Sequence, residues 1–235
     1  MSDGGYTCSH NVLRFDHEVG TFEAQRVRRV AHGPVKSVIR VTSVYNRSTL
    51  VQDFTMYREL NQIDVRVTLD WHEPHALLKL QFPLRLDFAT ATYEIPYGHI
   101  ERPVNGEEEP GQSWVDVSGV SRPAGVSYGL SLLNDGKYSF DISNKVVSLT
   151  VVRSPIYAHH VPRQPEPDEQ YTYLDQGLHR FSYSLLPHPG RWDRAGTVQR
   201  AAELNQRPIA VLESYHPDGT LPQADSFVQV DAENI

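Results

Sequence analysis

Cysteine is almost absent from this sequence, and that absence narrows the classes of protein it can encode. Cys8 is the only cysteine among 235 residues, so no intrachain disulfide can form. A lone thiol is typical of a reducing compartment, and we expect a cytoplasmic location. No run approaches the roughly 18 apolar residues that span a bilayer, and residues 1–6 lack a signal-peptide pattern. We therefore expect no membrane partner.

Basic residues are also too few for a protein that binds polyanions. Lys and Arg number 22 against 29 Asp and Glu, which gives a net charge of −7. Nucleic acids and anionic membranes attract basic surfaces, so we expect neither as a partner. The hydrophobic fraction of 39% is ordinary for a globular domain,.

Several motifs of well-defined chemistry are missing. The sequence has no glycine-rich phosphate loop after a strand and no nucleophile elbow of the G-x-S-x-G type. His72-Glu73-Pro74-His75 has the wrong spacing for a zinc helix, and we interpret it as a turn at a strand end. His159-His160 lies in a proline-rich loop, where adjacent side chains point in opposite directions, and we expect solvated histidines. We therefore expect no metal ligands and no cofactor in this chain.

Alternation of apolar and polar residues dominates what is present. Ile63, Val65, Val67, Leu69 and Trp71 alternate with polar residues, which predicts a strand with one face in a core and one in water. Similar runs predict strands at Val35–Tyr45, Leu50–Tyr57, Leu77–Phe88, Trp114–Val120, Val126–Leu133, Tyr138–Ile142, Val146–Val152 and Phe181–Leu185,.

Short turns separate these runs. Asn46-Arg47-Ser48 and Ser143-Asn144-Lys145 can each reverse the chain, and Asn134-Asp135-Gly136 predicts a tight hairpin. Trp192–Gln206 is the only segment with a helical stripe. The pattern predicts an all-β fold, a single domain over 1–235 built as a sandwich of two large antiparallel sheets, with one short helix near the C-terminus.

Acidic and aromatic side chains are the candidates for carbohydrate chemistry. Carboxylates are plentiful, but no spacing pairs two of them as glycoside hydrolysis requires. We interpret Glu107-Glu108-Glu109 as a solvated run and the three tryptophans as core residues. Tyr93–Pro103 places aromatic, charged and imidazole groups at a strand end, which is compatible with the rim of a site or with a bulged edge strand.

Several segments together resemble one family. The YEIPYGHIERP stretch at Tyr93–Pro103 is similar to a signature of the C-terminal β domain of glycoside hydrolase family 38, the α-mannosidases. Further similar stretches follow the family's order: HGPVKSV at His32–Val38, DWHEPHALLKL within Asp64–Leu80, YGLSLLNDGKY at Tyr128–Tyr138, the strand ending in RSP at Val146–Pro155, and HRFSYSLLPH at His179–His188. The resemblance covers about residues 30–230.

This resemblance implies a function for a larger parent protein. It implies a β-sandwich of the galactose mutarotase-like supersandwich type, which packs on a catalytic domain. That domain carries the zinc and the nucleophile of a retaining enzyme that hydrolyses terminal α-mannosides. No segment of this sequence resembles the barrel, the zinc ligands or the nucleophile. We therefore expect a non-catalytic domain cut from the parent, with open strand edges that promote association into homo-oligomers.

The resemblance also implies which residues reach the sugar. Arg153, in the RSP strand, is the first candidate for a substrate contact, and an ion pair beneath the proline-rich loop is an equally compatible role. Asn134, Asp135 and Lys137 come next, with turn formation as the alternative role of Asp135.

Tyr97 and His99, in the strand-end segment Tyr93–Pro103, complete the set of candidate substrate-binding residues.

Two other classes of function remain open. A free carbohydrate-binding module would display coplanar exposed aromatic rings on one sheet face. A mutarotase-like epimerase would need an acid–base pair in a concave pocket, for which His99 and Glu101 share a strand face.

Overall fold

The computed structural model of the chain describes residues 12–121, 124–143, 146–160, 163–215 and 217–231. Cys8 and the Asn144-Lys145 part of the predicted turn lie outside these residues. Within them the strands are β1 (Glu23–His32), β2 (Lys36–Tyr45), β3 (Ser48–Tyr57), β4 (Ile63–Trp71), β5 (Leu77–Pro83), β6 (Asp87–Ile95), β7 (Gly98–Arg102), β8 (Glu109–Pro110), β9 (Trp114–Ser121), β10 (Val126–Asn134), β11 (Ser139–Ser143), β12 (Val146–Arg153) and β13 (Gly177–Pro189). A 3-10 turn (Trp192–Arg194) and the helix α1 (Thr197–Asn205) follow.

The strands of the described residues form two antiparallel sheets. The large sheet has the order β1-β2-β3-β4-β13-β10-β9-β6-β7, and the small sheet has the order β5-β12-β11-β8. Strands that follow one another in the chain pair directly through most of the large sheet, as in β2 with β3 and β9 with β10. The prediction of an all-β, antiparallel fold with one short helix near the C-terminus is confirmed.

The alternating runs bury one face of each sheet against the other. In β4, Val65, Val67 and Leu69 are at most 2% exposed, whereas the intervening Arg66 and Asp70 are exposed. Branched side chains pack well on such a pleated, half-buried surface. The core between the sheets combines residues of both, among them Val115, Val117, Leu132, Tyr183, Phe140, Ile142, Val147 and Leu149.

Helix α1 covers the opposite, outer face of the large sheet. Trp114 and Leu133, on neighbouring strands, form a second apolar cluster with Ala201 of the helix. The predicted helix over Trp192–Gln206 is too long, because Gly196 adopts a φ of 70° and separates the 3-10 turn from α1,. No helix among the described residues is long and apolar enough to cross a membrane.

Two segments have boundaries other than those predicted. Leu77–Phe88 is not one strand: β5 ends at Pro83, and Phe88 lies within β6 with a φ of 51°. The Tyr93–Pro103 segment forms a hairpin in which β6 and β7 pair, with Glu94 opposite His99. Strand β7 lies at the edge of the large sheet, as the edge-strand interpretation expected, but its pairing with β6 contains no bulge, because Pro96 and Tyr97 form the turn of the hairpin.

The Asn134-Asp135-Gly136 turn does not close a hairpin. Strand β10 belongs to the large sheet and pairs with β9 and β13, whereas β11 belongs to the small sheet. We call residues Asn134–Tyr138 the inter-sheet turn. It carries the chain from one layer of the sandwich to the other, and the prediction of a hairpin is wrong here because side chains of the turn bond to backbone groups in place of a cross-strand ladder.

Glu108 is not part of a solvated run. Its carboxylate lies 2.7 Å from the Lys79 ammonium, whose second partner is Asp141 at 2.5 Å. The side chains of Lys79, Asp141 and Glu108 are only 3%, 11% and 13% exposed. Glu108 also accepts hydrogen bonds from Ser139 and Thr150. The run of three glutamates does not reveal that Glu108, together with Asp141, neutralises the buried ammonium group of Lys79.

This buried cation gives a test of the fold. Replacement of Lys79 by Met leaves Glu108 and Asp141 buried without their cation, and removal of one partner from such a group costs about 3–5 kcal/mol. We expect Lys79→Met to lower the free energy of unfolding by that amount in urea denaturation. Lys36→Met, at an exposed position on β2, is the matched control and should change it by less than about 0.5 kcal/mol. Equal effects of the two substitutions would contradict the structural role of Lys79.

Candidate functional site

The inter-sheet turn is held by the side chain of Asn134, which is fully buried. Its Oδ1 accepts hydrogen bonds from the backbone N–H groups of Gly136 and Lys137, at 3.0 and 2.7 Å. Its Nδ2 donates to the carbonyl of Gln112 at 2.9 Å. Asn side chains commonly form such turns by mimicking a backbone carbonyl. The structure thus gives Asn134 a positioning role and orients the residues that follow it.

Asp135 fastens the same turn to the large sheet. One of its carboxylate oxygens, Oδ1, accepts the Ser182 N–H of β13 at 2.7 Å. The Asp135 N–H donates in turn to the Ser182 carbonyl at 3.2 Å. The turn-forming role that the sequence left open is therefore present, and the half-buried side chain still lines a surface cavity.

Lys137 is the cation of the turn. Its Nζ lies 5.1 Å from the centroid of the Phe181 ring, within reach of a cation–π interaction,. Burial lowers the pKa of Lys137 below its usual range, while the negative charges of Asp175 and Asp135 act to raise it. We call Asp135, Lys137 and Asp175 the sandwich-end cluster. Side chains of this kind, on anchored turns at a sheet end, can donate to and accept from sugar hydroxyls.

Arg153 joins this cluster through its backbone. The Arg153 N–H, at the end of β12, donates to Oδ2 of Asp175 at 3.2 Å. Asp175 has a φ of 52°, which belongs to the sparsely populated left-handed region and holds the carboxylate at the start of β13,. The Arg153 guanidinium carbon lies 5.6 Å from the centroid of the Phe15 ring, so the side chain packs on the N-terminal segment.

Tyr97 and His99 form a separate group at the edge of the large sheet. Tyr97 occupies the tip of the β6–β7 hairpin with a φ of 64° and is fully exposed. The His99 ring contacts Trp192 edge-on, with 4.7 Å between centroids. Two strands, β6 and β9, lie between β7 and β10 in the sheet order. At ~4.8 Å per strand the two groups are about 14 Å apart.

The acid–base pair considered for an epimerase lies on an open rim. His99 and Glu101 share one face of β7, as expected, and both side chains are exposed. Glu101 borders a small cavity of about 200 Å³ beside Trp192.

The tryptophan rings do not form the exposed, coplanar set that a carbohydrate-binding module would display. Trp71 and Trp114 are each 2% exposed, and Trp192 packs on Trp114 with 4.9 Å between ring centroids. The expectation that the tryptophans belong to the core is confirmed for Trp71 and Trp114.

The two histidine-containing motifs, His72–His75 and His159-His160, contain side chains that are buried and that contact neighbouring parts of the fold. Glu73 is 8% exposed and accepts a 2.7 Å hydrogen bond from Ser48 Oγ, which ties the end of β4 to the β2–β3 turn. The expected solvation of the loop histidines is wrong for His159, which is 2% exposed and contacts Tyr171. Among residues 12–121, 124–143, 146–160, 163–215 and 217–231, no three His, Cys, Asp or Glu side chains form a group that could hold a metal ion.

A buried polar network beneath α1 was not predicted. Asp116 is 1% exposed, and its Oδ2 lies 2.8 Å from Ser131 Oγ and 2.7 Å from His188 Nε2. Ser131 also bonds to Thr197 of the helix at 2.7 Å. Gly129 makes room for the imidazole, since a Cβ there would lie 2.5 Å from His188 Cε1. The only signal in the sequence was a polar residue at the centre of each of two apolar runs.

Comparison with known proteins relates this fold to one family. Residues 4–170 match the family model that is described as the glycosyl hydrolases family 38 C-terminal domain. Alpha-mannosidase 2C1 of Homo sapiens is 36% identical over 155 residues, which cover 63% of this chain and 13% of that protein. Alpha-mannosidase G of Dictyostelium discoideum is 27% identical over 210 residues, which cover 81% of this chain and 18% of that protein.

A solved structure supports the fold itself. The crystal structure of an alpha-mannosidase from Enterococcus faecalis V583 superposes with a TM-score of 0.63 and 17% identity, and covers 77% of this chain and 24% of that chain. The chain therefore corresponds to 13–24% of the length of these relatives.

The electrostatic coupling of the sandwich-end cluster can be measured at Lys137. Because the Asp175 carboxylate favours the charged ammonium, Asp175→Asn should lower the pKa of Lys137 further below its ordinary value. NMR titration of the lysine side-chain signals measures this change, and the chain has only the lysines at 36, 79, 137 and 145 to assign. Asp193→Asn, on the 3-10 turn, is the matched control and should leave the titration unchanged. A Lys137 pKa that does not respond to Asp175→Asn would contradict the cluster.

The buried network predicts a second outcome. Asp116→Asn removes the charge that His188 and Ser131 contact, and rupture of a buried hydrogen-bonded group costs about 2–4 kcal/mol. We expect that loss in the free energy of unfolding measured with urea. Asp193→Asn, on the exposed 3-10 turn, serves as the control with a change of less than about 0.5 kcal/mol. Wild-type stability of Asp116→Asn would show that the network contributes little.

Proposed function

We propose that this chain, which belongs to the C-terminal domain family of the family 38 glycosyl hydrolases, is the non-catalytic β domain of a larger, retaining α-mannosidase. The observation that carries this proposal is the family match over residues 4–170, which spans β1–β12 and the loop that follows. The α-mannosidases of Homo sapiens and Dictyostelium discoideum with similar sequences support the same class of enzyme.

We propose that this domain supplies neither the nucleophile nor the zinc site of the reaction. A retaining glycosidase forms a covalent glycosyl-enzyme on one carboxylate and then hydrolyses it with water, which requires two carboxylates about 5–5.5 Å apart. The described residues provide no group of three metal ligands, so we derive no zinc-dependent step from them. We assign the zinc and the nucleophile proposed for the parent to its catalytic domain.

The sandwich-end cluster is the surface proposed to reach the substrate. Asp135 and Lys137 are oriented by the inter-sheet turn, and Asp175 is tied to the end of β12. A cation and two carboxylates in one place can hold sugar hydroxyls as donors and acceptors. Their anchoring to both sheets supports this role, because contacts on rigid elements lose less entropy when a ligand binds.

The setting of the domain within the parent is part of the proposal. We propose that residues 1–235 act as one β-sandwich unit that packs on the catalytic domain of the parent. The compartment proposed is the cytoplasm, because the lone Cys8 is typical of reducing surroundings,. The proposed substrate is a terminal α-mannoside bound at the active site of the parent.

The division of labour can be tested by hydrolysis of a chromogenic α-mannoside. We expect the 235-residue chain to turn over none of it, with or without added zinc, and the full-length parent to turn it over. Zinc-dependent turnover by the isolated chain that survives repurification would overturn the non-catalytic assignment.

The proposed contact between the sandwich end and the sugar can be tested by substitutions in the full-length parent. Lys137→Met and Arg153→Gln should each lower kcat/KM by about tenfold, which corresponds to one lost hydrogen bond to a charged group. Lys36→Met on β2 is the control and should keep the parental kcat/KM. If neither Lys137→Met nor Arg153→Gln changes kcat/KM, the sandwich end does not contact the sugar.

A further inference from the structure

The outer face of the large sheet carries a groove beside the C-terminal end of α1. Two adjoining cavities of about 590 and 640 Å³ form it, and both are lined by Arg66, Ser182, Leu204 and Arg207. Arg180, Thr68 and Asp135 are among the other residues that line the smaller cavity. We call the smaller cavity, which Arg66, Arg180 and Arg207 line, the arginine groove. Cavities of this size commonly hold a small molecule.

Strand pairing brings two of the arginines together on one face. Arg66 of β4 pairs with Ser182 of β13, and Thr68 of β4 pairs with Arg180. Residues two apart on a strand share a face, so Arg66 and Arg180 are diagonal neighbours. Such neighbours lie about 7–8 Å apart, a distance that long side chains can bridge toward one ligand. Arg207 approaches from the helix side, where its Nε donates to the Leu204 carbonyl at 3.4 Å.

The acidic residues around the groove are already engaged. Asp53 is bonded by Arg40 through both carboxylate oxygens at 2.6 Å. Glu203 pairs with Arg200 at 2.7 Å. In the same surroundings Asp64 accepts hydrogen bonds from Gln62 and Ser184 at 2.6 and 2.7 Å.

None of the three groove arginines forms a direct ion pair among the described residues, although, beside the hydrogen bond from Arg40, the charge of Arg66 acts on Asp53 and helps to lower the pKa of that carboxyl. Asp135, the acid that lines the smaller cavity, accepts the Ser182 N–H. The smaller cavity is thus lined by three arginines and one acid, on a chain whose net charge is −7.

We propose that the arginine groove binds the phosphate group of a small phosphorylated ligand. Guanidinium groups present planar donors that match phosphate oxygens in pairs, and such charge-assisted hydrogen bonds are roughly twice as strong as neutral ones. Thr68 and Ser182 line the same cavity and offer polar groups for the rest of the ligand,. This site goes beyond the proposed mannosidase role, and its test does not depend on hydrolysis.

Calorimetric titration of the 235-residue chain at low ionic strength tests the site. The probes are inorganic phosphate, mannose 6-phosphate and uncharged mannose. We expect both phosphates to bind, and we expect any heat from mannose to be unchanged when Arg66→Gln and Arg180→Gln are combined. Tighter binding of mannose 6-phosphate than of inorganic phosphate would assign the ligand to sugar phosphates, whereas equal binding would assign it to phosphate alone. Absence of heat with both phosphates would overturn the proposal.

A matched pair of variants locates the binding. Arg66→Gln combined with Arg180→Gln should weaken phosphate binding by about tenfold or more, because charge-assisted hydrogen bonds are lost. Arg26→Gln combined with Arg29→Gln on the exposed strand β1 changes the net charge equally and should leave the affinity within about twofold. Equal weakening in both double variants would show a general charge effect and contradict the site.

NMR spectroscopy of the unsubstituted protein tests the site without any variant, so its result does not depend on whether the variants fold. Phosphate should shift the NMR signals of the Arg66 and Arg180 Nε–H groups, while the signals of Arg26 and Arg29 stay in place. Shifts confined to Arg26 and Arg29, or shifts of all arginine signals alike, would overturn the proposal.

Discussion

The burial of β10 on both of its faces is the constraint on which the rest of the structure depends. Leu130–Asn134 is buried without interruption, so this strand needs cover on the inner and the outer side. The small sheet covers the inner face, where Leu132 packs in the main core. Helix α1 covers the outer face, where Leu133 packs on Ala201. Ser131 lies on the same outer face as Leu133, two positions away, and its burial in turn requires the hydrogen bonds to Asp116 and Thr197,.

Most of the fold could be predicted because hydrophobic alternation directly reports a sheet with one buried face. Strand β4 was evident in this way, and so were the neighbours that pair with it. Strand β1 was missed because all of Glu23–His32 is exposed, so its sequence carries no alternation. The inter-sheet turn was mistaken for a hairpin because turn residues indicate a reversal and do not reveal which sheet the next strand joins. That information resides in the packing of the layers.

The candidate site could be predicted only in part, for a related reason. Asn134, Asp135 and Lys137 are close in sequence, so one turn brings them together. Asp175 joins Lys137 from a distant loop, and no local pattern indicates it. The Asp116–His188 contact spans 72 positions, and the Arg66–Arg180 neighbourhood depends on how β4 and β13 pair. Sequence reasoning left every carboxylate unpaired because such pairs arise from register between strands, which becomes visible only when the sheet is assembled.

The position of α1 in the chain has a consequence for biosynthesis. The strands that it covers begin at Trp114, yet the helix is complete only at Asn205. A chain that emerges from the ribosome therefore exposes Trp114, Leu133 and the polar atoms of Asp116 until the last helical turn is available. Domains fold as units during synthesis, and transiently exposed apolar surface favours aggregation. Helix α1 therefore covers this outer face only after all the strands of the two described sheets have been synthesised.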